Sequence, residues 1–244
     1  MAETTTEKQK RKKLFVVGAV FVGVFCYLIC LRNGAMIFHS NDDASIQDTL
    51  SGRYTGSPYP IHQYISVFLS YPIYWLYSLI PTIEWWYIIS QFVMLASMSI
   101  INCAICLQAE RSKYPLSLSL VLVAILDFTY FSYPISNTAY TIVSSFAGAS
   151  AVVLLFRGYL KQWKYVLSGI FFLLSVFFRY ATGIVSLCFV SLGIIAIALD
   201  KTPKLTFKAI LVVVCVLAAV SCSVVVINKV NNIIQDKKNG PSSE

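Results

Sequence analysis

Apolar runs long enough to cross a lipid bilayer recur along the whole chain of 244 residues. The first run, residues 14–31, is unbroken and follows a strongly basic head. Further runs occupy residues 64–80, 85–107, 116–133, 138–156, 165–199 and 206–228. Because 57% of the residues are hydrophobic and only 12% are charged, one soluble core cannot bury this much apolar surface. The sequence therefore predicts an all-α integral membrane protein.

The first apolar run is predicted to be an uncleaved membrane anchor. It is longer than the roughly 7 to 15 residues of a signal-peptide core, and no clean cleavage site follows it. Its basic head predicts that residues 1–13 lie in the cytoplasm. The net charge of +8 comes from short clusters between the apolar runs, which is typical of cytoplasmic loops. We therefore expect membrane lipids rather than nucleic acid as partners.

The distribution of basic residues decides between two arrangements of the later runs. If residues 64–80 cross the bilayer, Lys and Arg divide as 9 inside against 10 outside. If this run lies on the outer face and residues 165–199 form a hairpin of two helices, the division becomes 13 inside against 6 outside. The positive-inside rule favours the second arrangement. It predicts seven spanning helices within a membrane domain at 14–228, a large first outer loop with surface helices at 32–84, and a polar tail at 229–244.

Two local features support the second arrangement. Pro72 lies at the centre of the run 64–80, whose Ser and Tyr residues recur every four positions, so a helix here has a polar stripe and is predicted to lie at the interface. As one helix, residues 165–199 would be ~52 Å long, whereas the hydrocarbon core of a bilayer is ~30 Å thick. A hairpin that turns near Arg179 removes this mismatch.

An acidic pair, Asp42 and Asp43, lies in the predicted outer loop. With Asn41 it precedes a helix-forming stretch at residues 44–50, so both carboxylates suit the N-terminus of a helix. Two adjacent carboxylates at a membrane surface also form a general-base or cation site. The residues themselves leave capping and catalysis open.

The loop and its flanks resemble the start of a GT-C-type membrane glycosyltransferase. The similarity lies in "NDDASIQDTLSGRYTG", with its acidic pair, and in "SPYPIHQYISVFLSYPIYWLYSLIPTIEWWY", a Pro-containing surface helix that leads into the next span. Members of that superfamily share a module of about seven helices. The resemblance implies transfer of a sugar from a polyprenyl-phosphate donor to an acceptor at the outer face, in a bacterial cell membrane.

The resemblance also assigns roles to individual residues. Asp42 matches the first acidic position, where the carboxylate takes the proton of the acceptor hydroxyl, and Asp43 matches the second. His62 lies where related enzymes show a His or Lys before a Pro-rich stretch, although here Pro60 precedes it. The alternative for His62 is an interfacial histidine. No cofactor is expected, and a divalent metal is left open.

Two charged residues within apolar runs are further candidates for substrate binding. Arg179 lies between two short apolar halves, where an arginine is costly unless it snorkels, pairs or binds an anion. It is predicted either to bind a lipid phosphate or to be an ordinary interfacial arginine. Asp127 lies about one and a half turns from the outer end of its span. It is predicted to be a second acidic residue of the cavity, a partner for Arg179, or part of a water-exposed helix end.

The sequence is also consistent with functions other than that of an enzyme. A small transporter or flippase would also use Asp127 and Arg179 within the membrane, although no clear internal repeat is present. A non-catalytic subunit of an envelope-polysaccharide system, with an additional membrane subunit as partner, would need no acidic pair. Complete GT-C enzymes commonly carry further helices and an outer domain, so the resemblance leaves a compact or truncated member open.

Cys103 and Cys106 form a C-x-x-C, but no second ligand pair accompanies them, and packed or lipid-facing thiols are predicted.

Overall fold

The computed structural model describes residues 5–33, 37–38, 41–53, 56–157, 163–188, 222 and 225–234. The helices are α1 (Thr5–Asn33), α2 (Asn41–Ser51), α3 (Val67–Leu79), α4 (Trp85–Arg111), α5 (Leu116–Leu126), α6 (Ser132–Ser136), α7 (Tyr140–Arg157), α8 (Trp163–Phe178), α9 (180–188) and α10 (225–234). One π-helical turn, Asp127–Phe131, joins α5 to α6. Two short strands, β1 (Ile37–Phe38) and β2 (Asn137–Thr138), pair in parallel. The predicted all-α class is confirmed.

Within the described residues, three helical stretches are long and apolar enough to cross a membrane: Thr6–Arg32, Trp85–Arg111 and Leu116–Ser136. Two shorter apolar helices follow at Tyr140–Leu155 and Trp163–Phe178. Large apolar side chains such as Phe21 and Phe92 are exposed on the outside of the bundle, where a bilayer would contact them. The chain is therefore a membrane protein by the length and composition of its helices. The predicted last run, residues 206–228, lies almost entirely outside the described residues.

The first two long helices, α1 and α4, run antiparallel. Near one end Arg11 of α1 lies 3.9 Å from Glu110 of α4, and towards the other end the Tyr27 hydroxyl donates to Gln91 Oε1 over 2.8 Å. We call the first of these the basic end and the second the loop end. Because α1 finishes and α4 begins at the loop end, the intervening segment starts and finishes there too. Helix α3, only 13 residues long, measures about 20 Å and is too short to join the two ends.

Helix α3 buries two serines of its predicted polar stripe, Ser66 and Ser70, beside apolar residues such as Ile73, whereas Ser78 of the same stripe is exposed. The hydroxyl of Ser66 caps the helix by accepting from the Phe68 amide, and the hydroxyl of Ser70 donates to the Pro60 carbonyl over 2.5 Å. Both serines are buried, whereas Trp75 and Leu79 are about 66% and 77% exposed. A helix that binds its own loop through serines and exposes large apolar side chains is suited to a membrane interface.

The run 165–199 is not one straight helix. Helix α8 ends at Phe178, and the chain reverses at Arg179, so that the hydroxyl of Ser186 lies 3.2 Å from that of Ser175. Eleven residues of straight helix would separate these positions by about 16 Å. The reversal lies at the place where the sequence predicts a turn. Residues 189–199 lie outside the described part of the chain.

The meeting point of α7, α8 and α9 has no room for a side chain at Gly148. A Cβ atom there would lie 2.8 Å from Ser186 Cβ and 3.1 Å from Ser175 Oγ. Next to it, the Ser144 hydroxyl donates to the Ser175 carbonyl over 2.6 Å. Small residues and hydroxyls of this kind allow membrane helices to pack closely.

We expect Gly148→Ala to lower the free energy of unfolding by about 1–3 kcal/mol, because the added methyl group overpacks the contact. The matched control is Gly169→Ala, since Gly169 is also helical and a Cβ atom there would have no neighbouring atom within 4 Å. That variant should be neutral or more stable by up to ~1 kcal/mol, because alanine favours a helix. Thermal unfolding of both variants in nanodiscs measures the difference. Equal effects of the two substitutions would contradict the packing.

Candidate functional site

The acidic pair lies in the first turn of α2, as predicted, and its two members have different surroundings. Asp43 is fully buried, and its Oδ1 accepts from the amide of Tyr140 over 2.8 Å. Tyr140 is the first residue of α7, so Asp43 satisfies a backbone amide at the start of another helix. The parallel pairing of β1 with β2 brings the two segments together just before these helices. Asp43 thus fixes α2 against α7.

Asp42 is the more accessible carboxylate. Its side chain is half-buried, and its Oδ2 lies 3.5 Å from the hydroxyl of Tyr140, at the outer limit of a hydrogen bond. A carboxylate in this state is oriented by its neighbours but still reaches solvent. Of the pair, Asp42 is therefore the residue that can exchange a proton with a bound molecule.

His62 lies beside the start of α2. Its Nε2 is 3.2 Å from the hydroxyl of Ser45, and its Nδ1 accepts from the amide of Tyr64 over 3.4 Å. Burial lowers the pKa of His62, and the negative charge of Asp42 partly opposes this. The neutral imidazole is favoured at neutral pH, so His62 offers a hydrogen-bonding group near the carboxylate rather than a fixed positive charge.

Arg179 reaches the same place from the turn between α8 and α9. Its Nη1 donates to the hydroxyl of Thr141, and its guanidinium carbon lies 5.4 Å from the centre of the Tyr140 ring. The contact is a cation–π interaction of ordinary length. A guanidinium carries five N–H donors, so these contacts leave donors for a phosphate or carboxylate.

Two tyrosines connect these groups. The ring of Tyr64 lies 5.2 Å from His62 and 6.2 Å from Tyr140, to which it is nearly parallel at 25°. A continuous wall therefore runs from His62 through Tyr64 and Tyr140 to Arg179, with Asp42 beside it. The sequence analysis did not identify the tyrosines, because a Tyr at a membrane interface is ordinary.

Asp127 lies elsewhere, which corrects the sequence interpretation. It is fully buried in the π-helical turn, and both carboxylate oxygens accept from Asn102 Nδ2 of α4, at 2.9 and 3.1 Å. It is therefore not at a water-exposed helix end. No ion pair joins it to Arg179, and both residues are described. Its burial between packed helices explains the error, because the sequence does not show which face of a span points inward.

The candidate site combines an accessible carboxylate, a buried histidine, an aromatic wall and an arginine. This set can accept a proton from a hydroxyl and bind an anionic group nearby. Within the described residues, no three His, Cys, Asp or Glu side chains come close enough together to hold a metal ion.

Comparisons with protein families, with characterised proteins and with solved structures find no match to this chain. The GT-C resemblance therefore depends on the residues quoted above alone.

Proposed function

We propose that the protein is a GT-C-like membrane glycosyltransferase that moves a sugar from a polyprenyl-phosphate donor to an acceptor hydroxyl. One observation carries the proposal. Asp42 and His62, from the segment between α1 and α3, and Arg179, from the turn between α8 and α9, all lie along the wall of Tyr64 and Tyr140 at the loop end of the bundle. A proton acceptor and a cation at the end of membrane-spanning helices are what this reaction requires from a protein.

In the proposed reaction, the acceptor oxygen attacks the anomeric carbon of the donor sugar. The new bond joins that carbon to the acceptor oxygen, and the bond that breaks joins it to the phosphate oxygen of the carrier. Asp42 takes the proton of the acceptor hydroxyl, and the carrier leaves as polyprenyl phosphate. Arg179 stabilises the charge on the leaving phosphate. Asp43 positions Asp42 by fixing α2 against α7.

The proposed topology places the loop end outside a bacterial cell membrane and the N-terminus in the cytoplasm, with seven crossings. The position of α10 supports an odd number of crossings. Asn231, which follows the last apolar run, accepts from the hydroxyl of Ser66 over 3.1 Å and from the amide of Val67 over 3.0 Å. These contacts lie at the loop end, whereas α1 begins at the basic end. The basic end would then face the cytoplasm, in line with the positive-inside rule.

A transporter is the second candidate, because one observation favours it. Asn102 and Asp127 form a buried polar contact between membrane-spanning helices, and Asn102 Oδ1 has no hydrogen-bond partner there. Buried acids within a span often mark ion or proton pathways. A flippase for a lipid-linked sugar would use such a pathway and would bind the same donor at the loop end.

The test is a transfer assay with purified protein in lipid nanodiscs. Polyprenyl-phosphate donors with different labelled sugars are offered with acceptor lipids and glycans, and the labelled product is separated by chromatography. The proposal predicts a labelled acceptor with at least one donor. Donor binding without any product would favour the non-catalytic subunit. Passage of the donor across sealed proteoliposomes without any product would favour the transporter.

A further inference from the structure

A cavity of about 370 Å³ lies at the basic end, where the start of α1 meets the end of α4. Its lining residues are Lys8, Arg11, Lys12, Glu110, Arg111 and Lys113. Five positive side chains therefore surround one carboxylate, from two segments that are about 100 residues apart. This cavity lies at the opposite end of the bundle from the candidate transfer site.

The helix places the basic residues at the start of α1 on different faces, and only some of them line the cavity. The helix face that lines the cavity carries Lys8 and the residues three and four positions after it, Arg11 and Lys12. Lys10 and Lys13 belong to the same segment but do not line it. The cavity is thus lined by only some of the positive side chains at the start of α1.

Arg11 is oriented by two neighbours. Its Nε lies 3.9 Å from the carboxylate of Glu110, which is only 6% exposed, and its guanidinium carbon lies 5.9 Å from the centre of the Phe15 ring. At 3.9 Å the ion pair is longer than a hydrogen bond, so Arg11 keeps N–H donors for a phosphate.

Lys113 has an uncommon backbone conformation. Helix α4 ends in a Schellman-type turn, in which the Lys113 amide donates to the Glu110 carbonyl and the Tyr114 amide donates to the Ala109 carbonyl, over 3.1 and 3.0 Å. Lys113 has φ 61°, the left-handed region in which glycine is the usual residue. A lysine here strains the backbone and adds a fifth positive charge to the cavity.

We infer that this cavity is a binding site for a phosphate group with two negative charges. The headgroup of an anionic membrane lipid, such as phosphatidic acid, suits the position best. The cavity lies at the ends of α1 and α4, two helices long enough to cross a membrane, at the level where lipid headgroups would lie. General attraction to an anionic membrane surface predicts that all five lysines and arginines at the start of α1, within residues 8–13, contribute equally to binding. A specific binding site predicts that only the basic residues that line the cavity contribute to binding.

The test uses the full chain in nanodiscs of zwitterionic lipid with added phosphatidic acid, with lipid retention measured by native mass spectrometry. Lys8→Gln combined with Lys12→Gln should weaken phosphatidic acid binding by about tenfold or more, since two charge-assisted contacts are lost. Lys10→Gln combined with Lys13→Gln removes the same charge from the same segment and should change binding by less than about twofold. Lys113→Gly should also weaken binding, while thermal stability stays the same or rises because the backbone strain is relieved.

A second arm distinguishes the source of the phosphate. Inorganic pyrophosphate is added to protein in purely zwitterionic nanodiscs, and then in competition with phosphatidic acid. Binding of the lipid alone assigns the site to a headgroup, and displacement of the lipid by pyrophosphate assigns it to a soluble phosphate. The inference is overturned if neither probe binds, if the two double variants lose binding equally, or if Lys113→Gly binds like the wild type.

Discussion

Replacing Asp42 with asparagine is expected to lower the rate of sugar transfer by about 10² to 10⁴, the usual contribution of positioned acid–base catalysis. Asparagine has nearly the same shape but cannot take the proton of the acceptor hydroxyl. The fold should be unaffected, because Asn suits the start of a helix about as well as Asp and the contact of Asp42 with Tyr140 is long. Transfer rates and thermal unfolding are measured on the same preparations.

Asp43→Asn is the matched control, because it makes the same change one residue along. The asparagine Oδ1 can still accept from the amide of Tyr140, so α2 and α7 stay together. We expect transfer to fall by about tenfold or less, with a loss of stability that reflects the burial of Asp43. Wild-type transfer by Asp42→Asn would refute its role as the base. A larger loss of transfer in Asp43→Asn than in Asp42→Asn would make Asp43 the base and Asp42 the positioning residue.

Arg179→Ala is expected to weaken the binding of polyprenyl phosphate by about 10- to 100-fold, since hydrogen bonds to a charged group contribute about 1.5–3 kcal/mol. Arg179→Lys should lie between this variant and the wild type, because lysine keeps the charge but loses the planar fork. Affinity is measured by equilibrium binding of labelled polyprenyl phosphate in nanodiscs.

The control for Arg179 is Arg53→Ala. Arg53 lies in the same predicted outer loop but pairs with Glu84, and it is about half exposed. Its removal should leave the affinity unchanged. Unchanged affinity in both Arg179 variants would make Arg179 an ordinary interfacial arginine. An equal loss in Arg53→Ala would mean that general charge, not the site, binds the carrier.

Features set by neighbouring residues could be predicted from the sequence. The acidic pair at the start of α2 follows from the order of capping residues and helix formers. The reversal of the chain at Arg179 follows from the length of an apolar run that no bilayer could accommodate as one helix. The short helix α3 lies within the predicted run 64–80, while its position at the membrane surface stays a prediction. Each of these depends on local propensity or on a simple length.

Features that depend on packing between distant segments could not be predicted. Nothing near Asp43 in the sequence indicates that it accepts from the amide of Tyr140, 97 residues away. The burial of Asp127 against Asn102 depends on how α4 and α5 are rotated, which composition does not reveal. The polar stripe of α3 is visible in the sequence, but the burial of Ser66 and Ser70 and the exposure of Ser78 depend on the loop that covers the start of the helix. Long-range contacts of this kind also bring His62 and Arg179 to one wall.

We expect the acidic site and the basic cavity to lie on opposite sides of the membrane. Single cysteines at Ser57, in the loop of the acidic site, and at Ser112, beside the basic cavity, test it in a background without the seven native cysteines. Both serines are exposed, so either cysteine should react with a reagent that reaches it. With an impermeant thiol reagent applied to intact cells, we expect labelling of Ser57→Cys at once and of Ser112→Cys only after permeabilisation. Labelling of both from the outside, or of Ser112→Cys alone, would contradict the account.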